Sequence, residues 1–505
     1  MTDITVAVPA RTGFAIARLA KFAPALAVFA LAVLIRVVLH LNPDVSWLLL
    51  VGDKMLHGAR VYVDVIETNP PASILLYLPA VWMENHFGIA AETVVVLSVF
   101  AESFASLALC RRLLLRAKLI REDELPLFAG AALLMLLVLP FDTFAEREQI
   151  ALIGMLPTLC VFMSRLANVR VEPGLAIVAG LGAGAAVAIK FYFALPLLTA
   201  FSFLLWQNRR DLWKAAGLLF APENAAALLV ACGYGAVVWR CFPAFSQNIL
   251  PLLLTLYVPV KASVWFMMAT PSFFMWAAGA VAAVALARRK ILEPLPAILL
   301  LASFGFVAAV LLQGKGWPYH GYPALALVLL LLGILLLRER GPRLRISAAL
   351  AVAAYAILLP LSTIWFDESN EPKRLVGAVA QLAPQHPRII AISDDLAIGS
   401  PLTRLVHGEW VGTTHSQWMT DYAHYLLRKT HPDAQTAAQI RRYATLDRDM
   451  LASDIASHRP DVVLVDRRAE HAWILGSLPL KAMLLGYREI KSVSGVEIWL
   501  RKTGA

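Results

Sequence analysis

Residues 22–41 read FAPALAVFALAVLIRVVLHL, and this stretch decides the fold. Its only ionisable residues, Arg36 and His40, sit near its end. A helix of about 20 apolar residues spans the hydrocarbon core of a bilayer. A core helix of a soluble protein would show a polar face over that length. Further apolar blocks follow at 88–110, 124–141, 149–167, 173–189, 191–206, 216–239, 269–287, 295–313, 322–337 and 346–365. The pattern predicts a polytopic α-helical membrane protein with about eleven transmembrane helices. Composition agrees: 59% of residues are hydrophobic and 16% charged, against about 25% charged in soluble domains.

The net charge is +10, which by itself could suggest a nucleic-acid partner. The placement of the charge excludes that reading. Alternate connections carry Arg11/Arg18/Lys21, Arg111/Arg112/Arg116/Lys118/Arg121, Arg165/Arg170, Arg209/Arg210/Lys214, Arg288/Arg289/Lys290 and Arg338/Arg340/Arg343/Arg345. The intervening connections are poor in Lys and Arg. Basic connections stay in the cytoplasm. The N-terminus is therefore expected inside, on a retained first helix with no cleavable signal peptide. An odd number of helices then places the C-terminus outside. The cysteines, Cys110, Cys160, Cys232 and Cys241, form no pair with metal-ligand spacing and suggest no disulfide framework.

The chain divides into a membrane part, residues 1–365, and a C-terminal part, residues 366–505. The latter is mixed in composition and well charged. RIIAIS (Arg388–Ser393), DVVLVD (Asp461–Asp466) and GVEIWL (Gly495–Leu500) read as strands, with helices around 415–429 and 434–457. A soluble α/β domain is expected on the outer face.

Unlike the merely basic inner loops, the outer connections carry chemistry. Arg36, His40 and Asp44 are spaced by four and share a face if the first helix persists to Asp44, which Pro43 makes doubtful. The long outer loop, residues 42–87, contains a stretch Val45–His57 that can form an amphipathic juxtamembrane helix ending at Gly58. Asn69-Pro70-Pro71 then forces extended or turned backbone. Further along come DTFAERE (142–148), Lys190 after GLGAGAAVAI, and GKGWPYHG (314–321).

This order of elements resembles the GT-C glycosyltransferases that use polyprenyl-phosphate sugars, in particular the branch of lipid A aminoarabinose transferases and protein O-mannosyltransferases. In the resemblance Asp44 takes the acidic position after the first helix and Gly58 that of the glycine. Tyr62/Asp64 takes the aromatic-acid element, and Glu67 with Pro70 and Pro71 the Glu-Pro-Pro element. Two departures stand out: Asn69 occupies a position where that branch tends to carry lysine, and Glu67 lies one residue further from the prolines. Phe144–Pro157, Lys190-Phe191-Tyr192 and Gly314–Pro323 resemble the family's later outer segments, so the likeness covers most of residues 20–340.

The resemblance implies a GT-C-like enzyme of the bacterial inner membrane, with its site at the periplasmic face. Its partners would be a polyprenyl-phosphate-linked sugar donor, a lipid, glycan or protein acceptor, and the lipid bilayer. Transfer requires a base for the attacking hydroxyl, and a carboxylate serves; Asp44 is the candidate. It also requires cations against the leaving phosphate. Arg147, Lys190 and Lys315 are candidates, with Tyr319 and His320 as hydrogen-bonding partners and Arg36, Tyr62, Asp64, Glu67 and Glu148 completing the substrate-binding set. Inversion at the anomeric carbon is a family expectation. So is a divalent metal ion on Glu67 and His320, for which the sequence has no ligand spacing. Each segment also has a plainer reading: a charge cluster at a helix start for Glu146, Arg147 and Glu148, a membrane boundary for Lys190, a tight connection for 314–320. A transporter or flippase of lipid-linked glycan is the competing function, but it should show related halves with broken helices at midplane, and none are visible.

Overall fold

The first apolar run stops being helical at Val38, and Pro43 starts a new helix. Helix α1 spans Ala23–Val38, and Leu39 is extended. Asn42 caps the next helix, α2 (Pro43–Leu56), its side chain accepting from the Asp44 amide at 2.8 Å. Pro43 takes the first helical position, where its missing N–H costs nothing. The two helices meet at 67°. Arg36, His40 and Asp44 therefore do not share one helical face. Nor is α2 a one-sided surface helix, because Val45 through Gly52 are all buried. Its second face is covered by the C-terminal part of the chain, a contact that periodicity cannot reveal.

This computed structural model describes residues 21–338, 357, 360–361 and 373–502. Arg11, Arg18, Arg340, Arg343, Arg345 and nearly all of the block 346–365 lie outside the described residues. The bundle continues with α3 (Ala91–Arg116), α4 (Leu125–Leu133, extended by a π-turn to Val138), α5 (Arg147–Leu166) and α6 (Pro173–Ile189). Then come α7 (Ala194–Gln207), α8 (Pro222–Cys241), α9 (Pro271–Ala287), α10 (Pro294–Gln313) and α11 (Pro318–Arg338). Helices α3, α5, α9, α10, α11 and the run containing α8 are long and apolar enough to cross a membrane, and the bent pair α1–α2 raises their number from 6 to 7. Helices α4 with its extension, α6 and α7 are apolar but shorter. Every expected block up to 322–337 thus coincides with an apolar helix.

The glycines of α6 bring backbones together. A Cβ on Gly180 would meet the Glu223 carbonyl of α8 at 2.1 Å, and one on Gly182 would meet the Gly154 carbonyl of α5 at 2.5 Å. Small residues at such crossings are how membrane helices pack without a hydrophobic drive. At one end of this crossing, Arg165 makes a two-pronged ion pair with the fully buried Glu223.

The C-terminal part is an α/β unit. Helix α12 (Lys373–Leu382) leads to β1 (Arg388–Ile392), α13 (Leu396–Leu405), β2 (Glu409–Trp410), α14 (Trp418–Lys429) and α15 (Ala434–His458). β3 (Val462–Asp466), β4 (Tyr487–Val493) and β5 (Val496–Arg501) follow. The sheet order is β2-β1-β3-β5-β4, parallel over the first three strands and antiparallel over the rest. The central strands β1 and β3 are apolar without alternation because both faces are covered. They and β5 match the expected strands. The two-residue β2 and the charged edge strand β4 carry too little apolar signal to have been expected.

The unit is tied to the outer loop by polar contacts. Arg404 of α13 binds Glu84 at 2.9 Å and also Glu92 at the start of α3. Lys54 donates to the Gly412 carbonyl at 3.0 Å, the Ile66 amide to that of Thr413 at 2.8 Å, and Ser400 to that of Pro43 at 3.1 Å. Arg404→Ala strands two carboxylates at this seam. We expect it to cost about 2 kcal/mol, below the range for fully buried pairs because both partners are partly exposed. The measurement is the thermal midpoint of the purified protein together with the rate of proteolysis in 373–502; an unchanged midpoint and rate would show that the clasp is idle.

Candidate active site

Four chain segments bring polar side chains to one place. The first is the start of α2, which presents Asp44. The second is the turn 139–146, which ends in Glu146 and launches α5 with Arg147 and Glu148. Here Ala145 has a positive φ of 68°. The turn is held by the Gln149 side chain, which accepts from the Ala145 amide and donates to the Leu136 carbonyl at 2.6 Å. Tyr77 donates to the Ala145 carbonyl at 2.7 Å. The third is the start of α11, with Tyr319 and His320, and the fourth is the end of α6, with Lys190.

The Arg147 side chain is only 2% exposed. Its Nη2 lies 3.3 Å from Asp44 Oδ2 and 3.2 Å from Glu146 Oε2. Its Nε and Nη1 are buried with no hydrogen-bond partner among the described residues. Tyr319 donates to Asp44 Oδ2 at 3.1 Å. Lys190 donates to Glu148 Oε1 at 2.7 Å, and His320 Nε2 lies 3.6 Å from the same oxygen. The Lys190 ammonium also sits 5.7 Å from the Tyr319 ring centre. The structure therefore gathers Asp44, Arg147, Glu148, Lys190, Tyr319 and His320. Asp44, with its side chain 27% exposed, is the accessible member of its pair with Arg147.

Other expected site residues do something else. Arg36 donates to the Phe141 carbonyl at 2.7 Å and lies 4.6 Å over the Phe144 ring, so it braces the turn before α5, while its Nε and Nη1 are buried with no hydrogen-bond partner among the described residues. Tyr62 is buried at a positive φ of 72° and donates to the Asn69 carbonyl at 2.8 Å, which pins the loop. Asp64 is exposed and forms a two-pronged pair with its neighbour Arg60. That pairing holds its carboxyl down to about 2. Glu67 is buried and accepts from Trp47 Nε1 and from the Asn69 amide and side chain, both at 2.6 Å. The Asn69 departure from the family pattern thus closes the loop internally. Lys315 donates to the carbonyls of Tyr257 at 2.5 Å and Val260 at 2.8 Å, with its ammonium 3.7 Å from the Tyr257 ring centre. Burial, with Lys261 nearby, lowers it to about 7.

Among the described residues, neither Glu67 nor His320 belongs to a cluster of three potential metal ligands. Among the described residues the one cluster of three potential ligands is Asp394, Asp466 and His471, in the C-terminal unit. Its carboxylates already serve Arg468, Ser393 and His471.

The chain superposes on the crystal structure of ArnT from Cupriavidus metallidurans bound to undecaprenyl phosphate, with a TM-score of 0.61 at 14% identity. The match covers 95% of this chain and 98% of that one. The fold is that of ArnT, a GT-C fold. The apo crystal structure of the same protein matches with a TM-score of 0.58 at 14% identity, over 97% of this chain and 98% of that one. No family model and no curated protein matches the sequence.

Sequence reasoning missed His415, Trp418 and Tyr422 as neighbours of this cluster. The one available signal was an imidazole and an indole three apart in THSQW, between β2 and α14. The pairing of Lys190 with Glu148 is open to test. Lys190→Met leaves a buried carboxylate without its cation and should cost roughly 3 kcal/mol of stability. Lys190→Met combined with Glu148→Gln should restore most of it. Thermal midpoints of the two variants compare them, and equal losses would mean that the pair contributes nothing.

Proposed function

We propose that this chain is an integral membrane glycosyltransferase that moves a sugar from a polyprenyl-phosphate donor to a hydroxyl of a lipid, glycan or protein at the periplasmic face. The observation that carries the reading is the buried Arg147, which touches Asp44 with one nitrogen and keeps two others without partners. The likeness to a structure solved with undecaprenyl phosphate supports it.

In this reading the acceptor oxygen attacks the anomeric carbon from the side opposite the phosphate. The bond from that carbon to the phosphate oxygen breaks, its electron pair leaves with the phosphate, and the configuration inverts. The acceptor proton passes to Asp44, which Tyr319 and Arg147 orient. The leaving phosphate meets Arg147 Nε and Nη1 and the Lys190 ammonium. Glu146 and Glu148 hold these two cations in place, so no reorganisation is needed as negative charge develops. The phosphate role passes from Lys315 to this pair, because Lys315 is engaged by carbonyls and rings. No step requires a metal.

The basic connections support a cytoplasmic N-terminus, a periplasmic C-terminal domain and eleven spans in the inner membrane. A cysteine at Glu489 on the exposed edge strand, introduced after replacing Cys232 and Cys241, should react with an impermeant maleimide in intact spheroplasts. Reaction only after lysis would reverse the topology.

Asp44→Asn keeps shape and removes basicity. Transfer from the sugar-bearing carrier, followed by mass spectrometry of envelope lipids and glycans, should fall by roughly 10²–10⁴-fold, with insertion unchanged. Wild-type turnover in this variant would remove Asp44 as the base.

A further inference from the structure

The cationic cluster accounts for a phosphate but not for the sugar. Across Asp44 from it lies a surface built mainly by the C-terminal unit. His415 packs edge-on to Trp47 at 5.5 Å between ring centres and stacks on Trp418 at 6.5 Å. Trp418 meets Tyr422 at 5.7 Å and Tyr257 at 6.4 Å, and the two tyrosines lie 5.8 Å apart. Asp44 adjoins this group of rings on two sides: Trp47, which meets His415, follows it by three residues on α2, and Tyr319, which donates to it, packs on Trp317, which meets Tyr257 at 6.4 Å.

Two details point to a ligand. Trp418 is 5% exposed, yet its indole Nε1 is buried with no hydrogen-bond partner among the described residues. A buried indole N–H nearly always has one. His415, Tyr257 and Tyr422 keep partial exposure, so the rings are not sealed away as core. The Lys315 ammonium lies against the Tyr257 and Tyr422 rings, 3.7 and 5.2 Å from their centres, but its hydrogen bonds are spent on the Tyr257 and Val260 carbonyls. Burial pushes the His415 imidazole down to about 4 despite the pull of Asp44, leaving it neutral at pH 7. Its Nδ1 is paired with Ser416 at 2.9 Å, which leaves the other ring nitrogen for a hydroxyl. Aromatic faces with a few fixed neutral hydrogen-bonding groups suit a hydroxylated ring and do not suit a phosphate.

We infer that the C-terminal domain supplies half of the active site: His415, Trp418 and Tyr422, with Tyr257, hold the sugar ring of the donor against Asp44. The inference rests on the donor reading above and adds the residues that distinguish a sugar-bearing carrier from a bare one. The Trp418 N–H and the free His415 nitrogen contact ring hydroxyls, while the rings pack on the C–H faces. The domain is then a specificity element rather than an appendage.

The test uses the full-length protein in detergent and two kinds of probe, undecaprenyl phosphate alone and undecaprenyl phosphate carrying a pentose, a hexose or an amino sugar. Wild type should bind the bare carrier and bind at least one sugar-bearing carrier more tightly. Trp418→Phe, which keeps the ring and removes the N–H, should leave bare-carrier affinity unchanged. It should also weaken the preferred sugar-bearing carrier about tenfold, in keeping with one lost buried hydrogen bond. His415→Phe should do the same and serves if the first variant folds poorly. If both variants keep the full preference, or if wild type has none, the aromatic wall is not the sugar subsite, although the function proposed above stands. If wild type fails to bind even the bare carrier, the donor reading falls and this inference with it.

Discussion

A guanidinium that is almost completely buried at the first position of a helix must be matched, and Arg147 is the charge around which this end of the bundle is arranged. Taking such a group out of water costs several kcal/mol unless opposite charge and hydrogen bonds compensate. Glu146 supplies one carboxylate from the adjacent residue, and Asp44 supplies the other from more than a hundred residues away. For Asp44 to arrive there, the first apolar run must stop at Val38 and turn by 67° into α2. The turn before α5 must be braced as well, and Arg36, Tyr77 and Gln149 do so. Residues that look like ligands in the linear sequence are thus the frame that aims the ligands.

That division explains which features were legible. The apolar blocks up to 322–337 and the three central strands depend on local composition, and they coincide with helices and strands of the structure. Asp44, Arg147, Glu148, Lys190, Tyr319 and His320 were also legible, because each stands at the start or end of an apolar helix on one face, where a charge has no bilayer reason to be. Lys315 shares that signature but is consumed locally by the carbonyls of Tyr257 and Val260, and Asp64, in the loop after α2, is consumed by Arg60 four residues away. Spacing cannot distinguish a charge that is satisfied nearby from one that waits for a substrate. The roof over α2 was illegible for a different reason: it joins positions more than 350 residues apart, and a helix later covered on its open face still reads as amphipathic.

The glycine crossing of α5, α6 and α8 holds the other side of the site. Lys190 emerges where α6 ends, and α6 is seated against its neighbours through Gly180 and Gly182 with no room for a methyl group. Close backbone contact of this kind leaves little freedom to slide. The Lys190 ammonium therefore reaches Glu148 from a fixed direction.

At the seam between the sheet unit and the membrane part, the Gly412, Thr413 and Pro43 contacts all end on main-chain carbonyls. A carbonyl belongs to every residue type, so substitutions on that side leave the bond available. Joints made in this way keep their geometry while the letters around them are rewritten. A shared architecture at 14% sequence identity is then an ordinary outcome, since the shape rests on atoms that every residue supplies.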